Sequence, residues 1–259
     1  MAPVLETIDL HKSFGAVIAA ANINLRVEEK EVVGVIGANG AGKTTFINMV
    51  TGYLKPTTGR IVYMGQDITR LMPREITRLG ICRSFQIPQL FLELSVLDNV
   101  LLALGVAPVV DRNLWRPLRN SDANDTAARI LERFGIAQYA EQWAGMLPQG
   151  VRKLLDIAMT TVGEPRIALL DEPTSGISVD EKFSVMDTLM SALRRQEVTV
   201  LFVEHDMEIV GRYGERVIAF HDGKVIADGS PSEVLADQDV RQYVVGAELH
   251  RDRHMLEIR

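Results

Sequence analysis

The sequence predicts an α/β fold, a parallel sheet with helices packed on it and a helical segment inserted. Three observations carry this. Short continuous apolar runs at 32–36, 167–170 and 198–203 read as strands buried on both faces, and a helical pattern follows each one. Residues 87–162 change character: strand-like runs vanish and helical periodicity takes over. The chain has 259 residues, 47% of them apolar, enough for one large α/β domain with a sizeable core.

Residues 4–36 read as β-rich. Asn22-Ile23-Asn24-Leu25-Arg26-Val27 alternates polar and apolar, the pattern of a half-buried strand. A glycine-rich turn at 37–42 follows the 32–36 run, and a helix is expected over 43–50. Gly52, Pro56 and Gly59 mark the next turns. Further on, Ala127, Ala128, Ile130, Leu131 and Phe134 fit one face of a helix beginning near Asp122, and 108–120 reads as a loop. Strand and helix then alternate: 167–170, a helix over 180–195, 198–203, and a short helix after Asp206. There is no internal repeat and no low-complexity tract.

Bulk composition narrows the function. A net charge of -6 argues against nucleic acid as the main partner. The single cysteine, Cys82, sits in an apolar stretch, where a small buried residue is expected. Glu6, Asp9 and Lys12 fall where a secretory leader would need apolar residues, so none is expected. The longest apolar stretch, 100–110, reaches about half of the ~20 residues a membrane span requires. If the protein works at a membrane, another chain does the spanning.

Two motifs carry chemistry. Gly37-Ala38-Asn39-Gly40-Ala41-Gly42-Lys43-Thr44 matches the phosphate-binding loop pattern, with a buried strand before it and a helix after. Its glycines let backbone N–H groups converge on phosphate oxygens, and the helix presents its positive N-terminus. Lys43 is placed to reach the β- and γ-phosphates, and the Thr44 hydroxyl to bind Mg²⁺. The second motif, 166–172, is an apolar strand ending in two carboxylates. Asp171 is placed to hold Mg²⁺ and Glu172 to orient or deprotonate an attacking water.

The order of phosphate loop, Gln86, Leu147-Pro148-Gln149-Gly150-Val151, Asp171-Glu172-Pro173-Thr174-Ser175-Gly176 and His205 resembles the ABC ATPase family over about residues 4–246. The resemblance implies a P-loop NTPase core with a parallel sheet (1–86 and 163–246), including an N-terminal antiparallel β subdomain. It also implies a helical insertion subdomain (87–162), with a tail (247–259) to which no role is assigned. It implies ATP and Mg²⁺ as cofactors, with nucleotide contacts from Phe14 (stacked on adenine), Asn39, Gly40, Ala41, Gly42, Lys43, Thr44 and Thr45. Pro148, Gln149 and Gly150 of the signature segment would face the partner's ATP. Thr44, Gln86 and Asp171 would serve the metal, and Glu172, His205 and Gln86 the hydrolytic step. Two such chains would sandwich two ATP molecules head to tail, with the helical insertion against membrane partners.

Local wording is similar to the first of the two ATPase types in branched-chain amino-acid uptake systems. It lies at 42–52, in Arg83-Ser84-Phe85-Gln86, and at 229–235. Those systems pair two different ATPase chains with two transmembrane permease chains and an external solute-binding protein. The resemblance therefore implies a peripheral place on the cytoplasmic face of the inner membrane, in a heterodimer or a homodimer. The alternatives are the ATPase of a lipopolysaccharide-type exporter, a soluble non-transport ABC ATPase, and a non-hydrolytic regulatory subunit. A departure stands at the signature, usually LSGGQ: Pro148 has neither the hydroxyl nor the N–H of the usual serine. Either the site facing Pro148 turns over slowly, giving an asymmetric heterodimer, or the subgroup tolerates proline with little loss. The remaining histidines, His11, His221, His250 and His254, have no ligand spacing and read as surface residues.

Overall fold

The computed structural model describes residues 3–107 and 120–246. All of the expected 108–120 loop except Asn120, together with the 247–259 tail, His250 and His254, lies outside the described residues. In chain order the elements are β1 Leu5–Phe14, β2 Val17–Val27, β3 Val32–Gly37, α1 Lys43–Val50, β4 Thr58–Tyr63, β5 Gln66–Asp67, α2 Pro73–Arg78 and β6 Ile81–Arg83. Next come α3 Val96–Val106, α4 Ser121–Arg133, α5 Gln149–Thr160, β7 Ile167–Asp171 and α6 Val179–Arg195. The described chain ends with β8 Thr199–Val203, α7 Met207–Tyr213, β9 Arg216–His221, β10 Lys224–Gly229, α8 Pro231–Ala236, the one-turn α9 Gln238–Val240 and a π-helical turn at Arg241–Val245. The chain divides into two compact units, one built from the described residues up to Thr77 and from Thr199 onward, the other from Arg78–Val198.

The first unit holds two sheets. An antiparallel one runs in the order β2-β1-β4-β5. In β2, Ile23, Leu25 and Val27 are buried while Asn24 and Arg26 are exposed, so the alternation in the sequence has its physical cause in one covered face. In the second sheet β3 lies between β8 and β9, parallel to both, and β10 pairs antiparallel with β9. All six residues of β3 are buried, as a continuous apolar run requires when both faces are covered. Arg216 at the start of β9 forks onto Asp228 at 2.5 and 2.7 Å and reaches Glu31 at 3.3 Å, tying β9 to β10 and to the turn before β3. Two histidines differ from expectation. His11 and His221 are half-buried, and the His221 ring stacks on Tyr243 (centroids 4.4 Å apart, planes 21° apart) because the 241–245 turn packs over the end of β9.

In the second unit β6 pairs in parallel with β7, and Cys82 is buried beside Ala168. Burial pushes its thiol up to about 11, which keeps it unreactive. Helix α4 starts one residue earlier than its periodicity suggested, because Asn120 accepts from the Ala123 N–H as its N-cap. Ala127, Ile130, Leu131 and Phe134 face inward as expected, but Ala128 is exposed, lying one residue (about 100°) off that stripe. Ser95 caps α3 by accepting from Asp98 N–H. The buried Asn99 side chain bonds Phe91 at both its N–H and C=O, fixing the turn that leads into α3.

Candidate nucleotide site

The residues singled out in the sequence divide between the two units. In the first, β3 delivers the loop 37–42 to the N-terminus of α1. Gly42 is the N-cap of α1, with φ at 105° and no side chain capping the helix, so the first-turn N–H groups are offered to a ligand. A Cβ on Gly42 would stand 2.7 Å from the Ala19 carbonyl oxygen and 3.1 Å from Gly223 Cα. The loop is backed there by other main chain: Gly223 N–H donates to Ala41 C=O at 2.9 Å, and Ala21 N–H donates to Gly223 C=O at 2.8 Å. Phe46 of α1, fully buried, rests against Phe220 of β9 with ring centroids 5.5 Å apart. Packing alone therefore requires glycine at 37 and 42, where a Cβ would run into the Phe220 and Ala19 carbonyls.

Asn39, Gly40 and Thr44 are exposed and Thr45 half-buried, while Ala41 is buried. Lys43 is buried and its ammonium donates to the loop's own carbonyls, Gly37 O and Ala38 O, which holds it at the loop. His205 follows β8, whose last residue, Val203, is in register with Val35 of β3, so both the loop and His205 leave the same ends of neighbouring parallel strands. Its N–H lies 3.3 Å from a carboxylate oxygen of the buried Glu204. Phe14 ends β1 with about half its surface exposed, and the Lys12 ammonium lies 5.0 Å from its ring centroid.

In the second unit Asp171 ends β7 and Glu172 follows in the left-handed region, at φ 47°, an unusual backbone for a non-glycine residue. Gln86 Nε2 donates to Glu172 Oε2 at 2.5 Å, so two of the expected residues meet directly. Asp171 Oδ2 accepts from Arg83 Nη2 at 2.7 Å, with the two side chains 13% and 8% exposed. Arg83 was legible only as part of the subgroup wording. The signal was a cation at the end of an apolar strand, three residues before Gln86.

Pro148 is the N-cap of α5, and no side chain caps that helix. Pro148 and Gln149 are exposed, whereas Gly150 is buried against α6, where a Cβ would approach Val185 Cγ2 to 2.9 Å. The Gln149 side chain lies beside Gly176, in the turn that follows Glu172. Behind the signature, Lys153 is wholly buried and donates to Phe85 C=O at 3.1 Å and Gln86 C=O at 3.0 Å. Asp156, one turn on, accepts from Gln89 N–H at 2.8 Å. Burial pushes the Asp156 carboxyl above its ordinary range, and the Gln89 N–H and the Lys153 charge pull it partly back.

The described residues hold no group of three or more His, Cys, Asp or Glu that would cage a metal. Mg²⁺ needs no such cage: it commonly takes one or two protein oxygens, with the rest from water and substrate phosphate. Thr44, Gln86 and Asp171 offer oxygen donors, and the Arg83 bond uses only one of the two Asp171 oxygens. Each is an oxygen donor of the hard kind that Mg²⁺ takes.

A buried parallel strand, a glycine-rich loop that opens a helix, and a second apolar strand ending in Asp-Glu define a P-loop nucleotide-binding protein. Residues 20–175 match the family described as ABC transporter. The chain is 35% identical over 251 residues to the high-affinity branched-chain amino acid transport ATP-binding protein LivG of Escherichia coli K12, with 94% of this chain and 98% of that one covered. It is 35% identical over 250 residues to the protein of the same description, BraF, of Pseudomonas aeruginosa, with the same coverage. A solved ATP-binding cassette of an ABC transporter superposes with a TM-score of 0.83 at 30% identity, over 93% of this chain and 98% of that one. A dimeric cassette in a post-hydrolysis state bound to ADP and Pi gives 0.73 at 26% identity, over 88% and 98%. The chain belongs to the ABC transporter family, and it is one of that family's nucleotide-binding ATPases. No helix among its described residues is long and apolar enough to cross a membrane.

Proposed function

We propose that this chain is the ATP-hydrolysing subunit of an importer for branched-chain amino acids or related small polar solutes. The observation that carries the hydrolytic part is the 2.5 Å bond between Gln86 and Glu172 at the end of β7: a carboxylate suited to taking a proton from water, held by an amide suited to reporting on what arrives beside it. The names borne by LivG and BraF support the cargo class. Lys43 and the loop N–H groups bind the phosphates, Phe14 stacks on adenine, Glu172 orients and deprotonates the attacking water, and His205 contacts the γ-phosphate. Thr44, Gln86 and Asp171 would hold Mg²⁺, which would supply neutralisation of phosphate charge.

The subdomain division implied by the sequence (1–86 with 163–246, and 87–162) belongs to this reading. So do two transmembrane permease chains, a second ATPase chain, an external solute-binding protein met only through the permeases, and a peripheral position on the cytoplasmic face of the inner membrane. Pro148 gives the dimer an asymmetry. The site formed by this chain's own loop with an intact partner signature turns over, and the site facing Pro148 binds ATP and hydrolyses it slowly.

The test is capture of tagged Glu172→Gln protein with ATP from solubilised membranes of its source, followed by mass spectrometry. Two multi-span permeases and a different ATPase chain are expected. An envelope-lipid export complex, or no membrane protein, would overturn the importer reading.

A further inference from the structure

The Gln86 segment hangs on the signature helix by two buried polar side chains. Lys153 and Asp156 lie three residues apart on α5 and therefore on one face, which is turned toward residues 85–89. Lys153 has no exposed surface and holds the carbonyls of Phe85 and Gln86 at 3.1 and 3.0 Å. Asp156, 5% exposed, holds the N–H of Gln89 at 2.8 Å. A cation is the costliest way to satisfy two carbonyls in a buried place, since an ammonium must be fully desolvated to do it. Its bonds to neutral partners are also among the stronger ones available. The segment it grips carries no helix or strand of its own: β6 ends at Arg83 and α3 begins at Val96. Its backbone position is therefore set largely from α5. The amide of Gln86 in turn holds Glu172.

We infer that Lys153, seconded by Asp156, is a positioning residue for the Gln86–Glu172 pair, so that the signature segment at the head of α5 and the Gln86 loop move as one piece. This rests on the proposed roles of Gln86 and Glu172. It adds a physical link inside one chain: whatever binds at Pro148–Gly150 shifts α5, and Lys153 carries that shift to the carboxylate serving the chain's own ATP. Lys153 acts through the main chain of Phe85 and Gln86, whose carbonyls it holds.

The test is a double-mutant cycle in the assembled transporter with Glu172 intact, measuring ATP turnover and KM for ATP with Lys153→Met, Gln86→Ala and both. Lys153→Met keeps most of the side chain's length and removes its donors. It is expected to lower kcat roughly tenfold with KM within about twofold, because only the placement of the hydrolytic pair is disturbed. In the Gln86→Ala background the same change is expected to move kcat by less than about twofold. Should Lys153→Met melt early, Asp156→Ala releases the other end of the same segment and is expected to give the same non-additive signature at a preserved melting temperature. A loss of kcat that is equal in both backgrounds, or a change carried by KM, would overturn the inference. Turnover that Gln86→Ala leaves unchanged would instead overturn the reading of the site, and the inference with it.

Discussion

Arg83→Met probes the residue that the structure adds beside Asp171. The pair is 2.7 Å long, and its side chains keep only 8% and 13% of their exposure. Methionine fills most of the arginine stem's volume, so the loss is mainly electrostatic. Two unit charges ~4 Å apart in a medium of effective dielectric ~20 attract by about 4 kcal/mol. Removing one member of a buried pair typically costs 3–5 kcal/mol because the other charge stays buried without it. The residual exposure of Asp171 places this case at the lower end, at about 3 kcal/mol. For a chain of this size that lowers the melting temperature by roughly 6–12 °C. Asp171→Asn removes the other charge, and the double variant is expected to cost clearly less than the sum of the two, with a coupling of about 2 kcal/mol. Thermal and urea unfolding of the four proteins at neutral pH measures all of this. A single Arg83→Met variant within about 0.5 kcal/mol of wild type would show that the pair does not stabilise the fold.

Three further outcomes follow from the geometry. Gly42→Ala places a methyl 2.7 Å from the Ala19 carbonyl at a φ of 105°; it is expected to cost about 3 kcal/mol in stability and to abolish ATP binding, checked by melting and nucleotide titration. Asp156 has a raised pKa, so its contribution to stability is fully present below the ordinary value of 3.8 and is lost as pH rises through the folded-state value. Asp156→Asn, which stays neutral and keeps the oxygen facing Gln89, should therefore melt higher than wild type at pH 7, with the gain shrinking toward pH 4; a gain that grows on acidification would contradict this. Pro148→Ser supplies both a helix cap and a donor, and should stabilise the chain by about 1 kcal/mol and raise turnover of the assembled transporter several-fold; an unchanged rate would remove the asymmetry.

The parts of the site that were legible in the sequence are those made by neighbours along the chain. The strand–loop–helix at 32–50 is local: an apolar run, glycines where the backbone turns left-handed, and a lysine at the helix start. Asp206 as the cap of α7 is equally local, its carboxylate accepting from Glu208 and Ile209. What was not legible depends on residues far apart in the sequence. The Arg83–Asp171 pair spans 88 positions and the Lys153–Gln86 contact 67. A lysine with no exposed surface reads as an ordinary helix-surface lysine until the segment it serves is placed against it. Likewise β2 begins at Val17, five residues before its alternation becomes visible, because Val17 and Ile18 are exposed and show no buried stripe. The exposed face of Ala128 escaped for a related reason: alanine is apolar enough to join a stripe on paper and small enough to cost nothing outside it.

The proposed function rests on ATP binding at the loop 37–45 and on hydrolysis driven by Glu172. The most direct measurement compares wild type and Glu172→Gln in the captured assembly, following bound ATP and released phosphate. Both proteins are expected to retain ATP, and the variant to hydrolyse it at least about a hundredfold more slowly. Equal turnover in the two proteins, or failure of either to hold ATP, would contradict it.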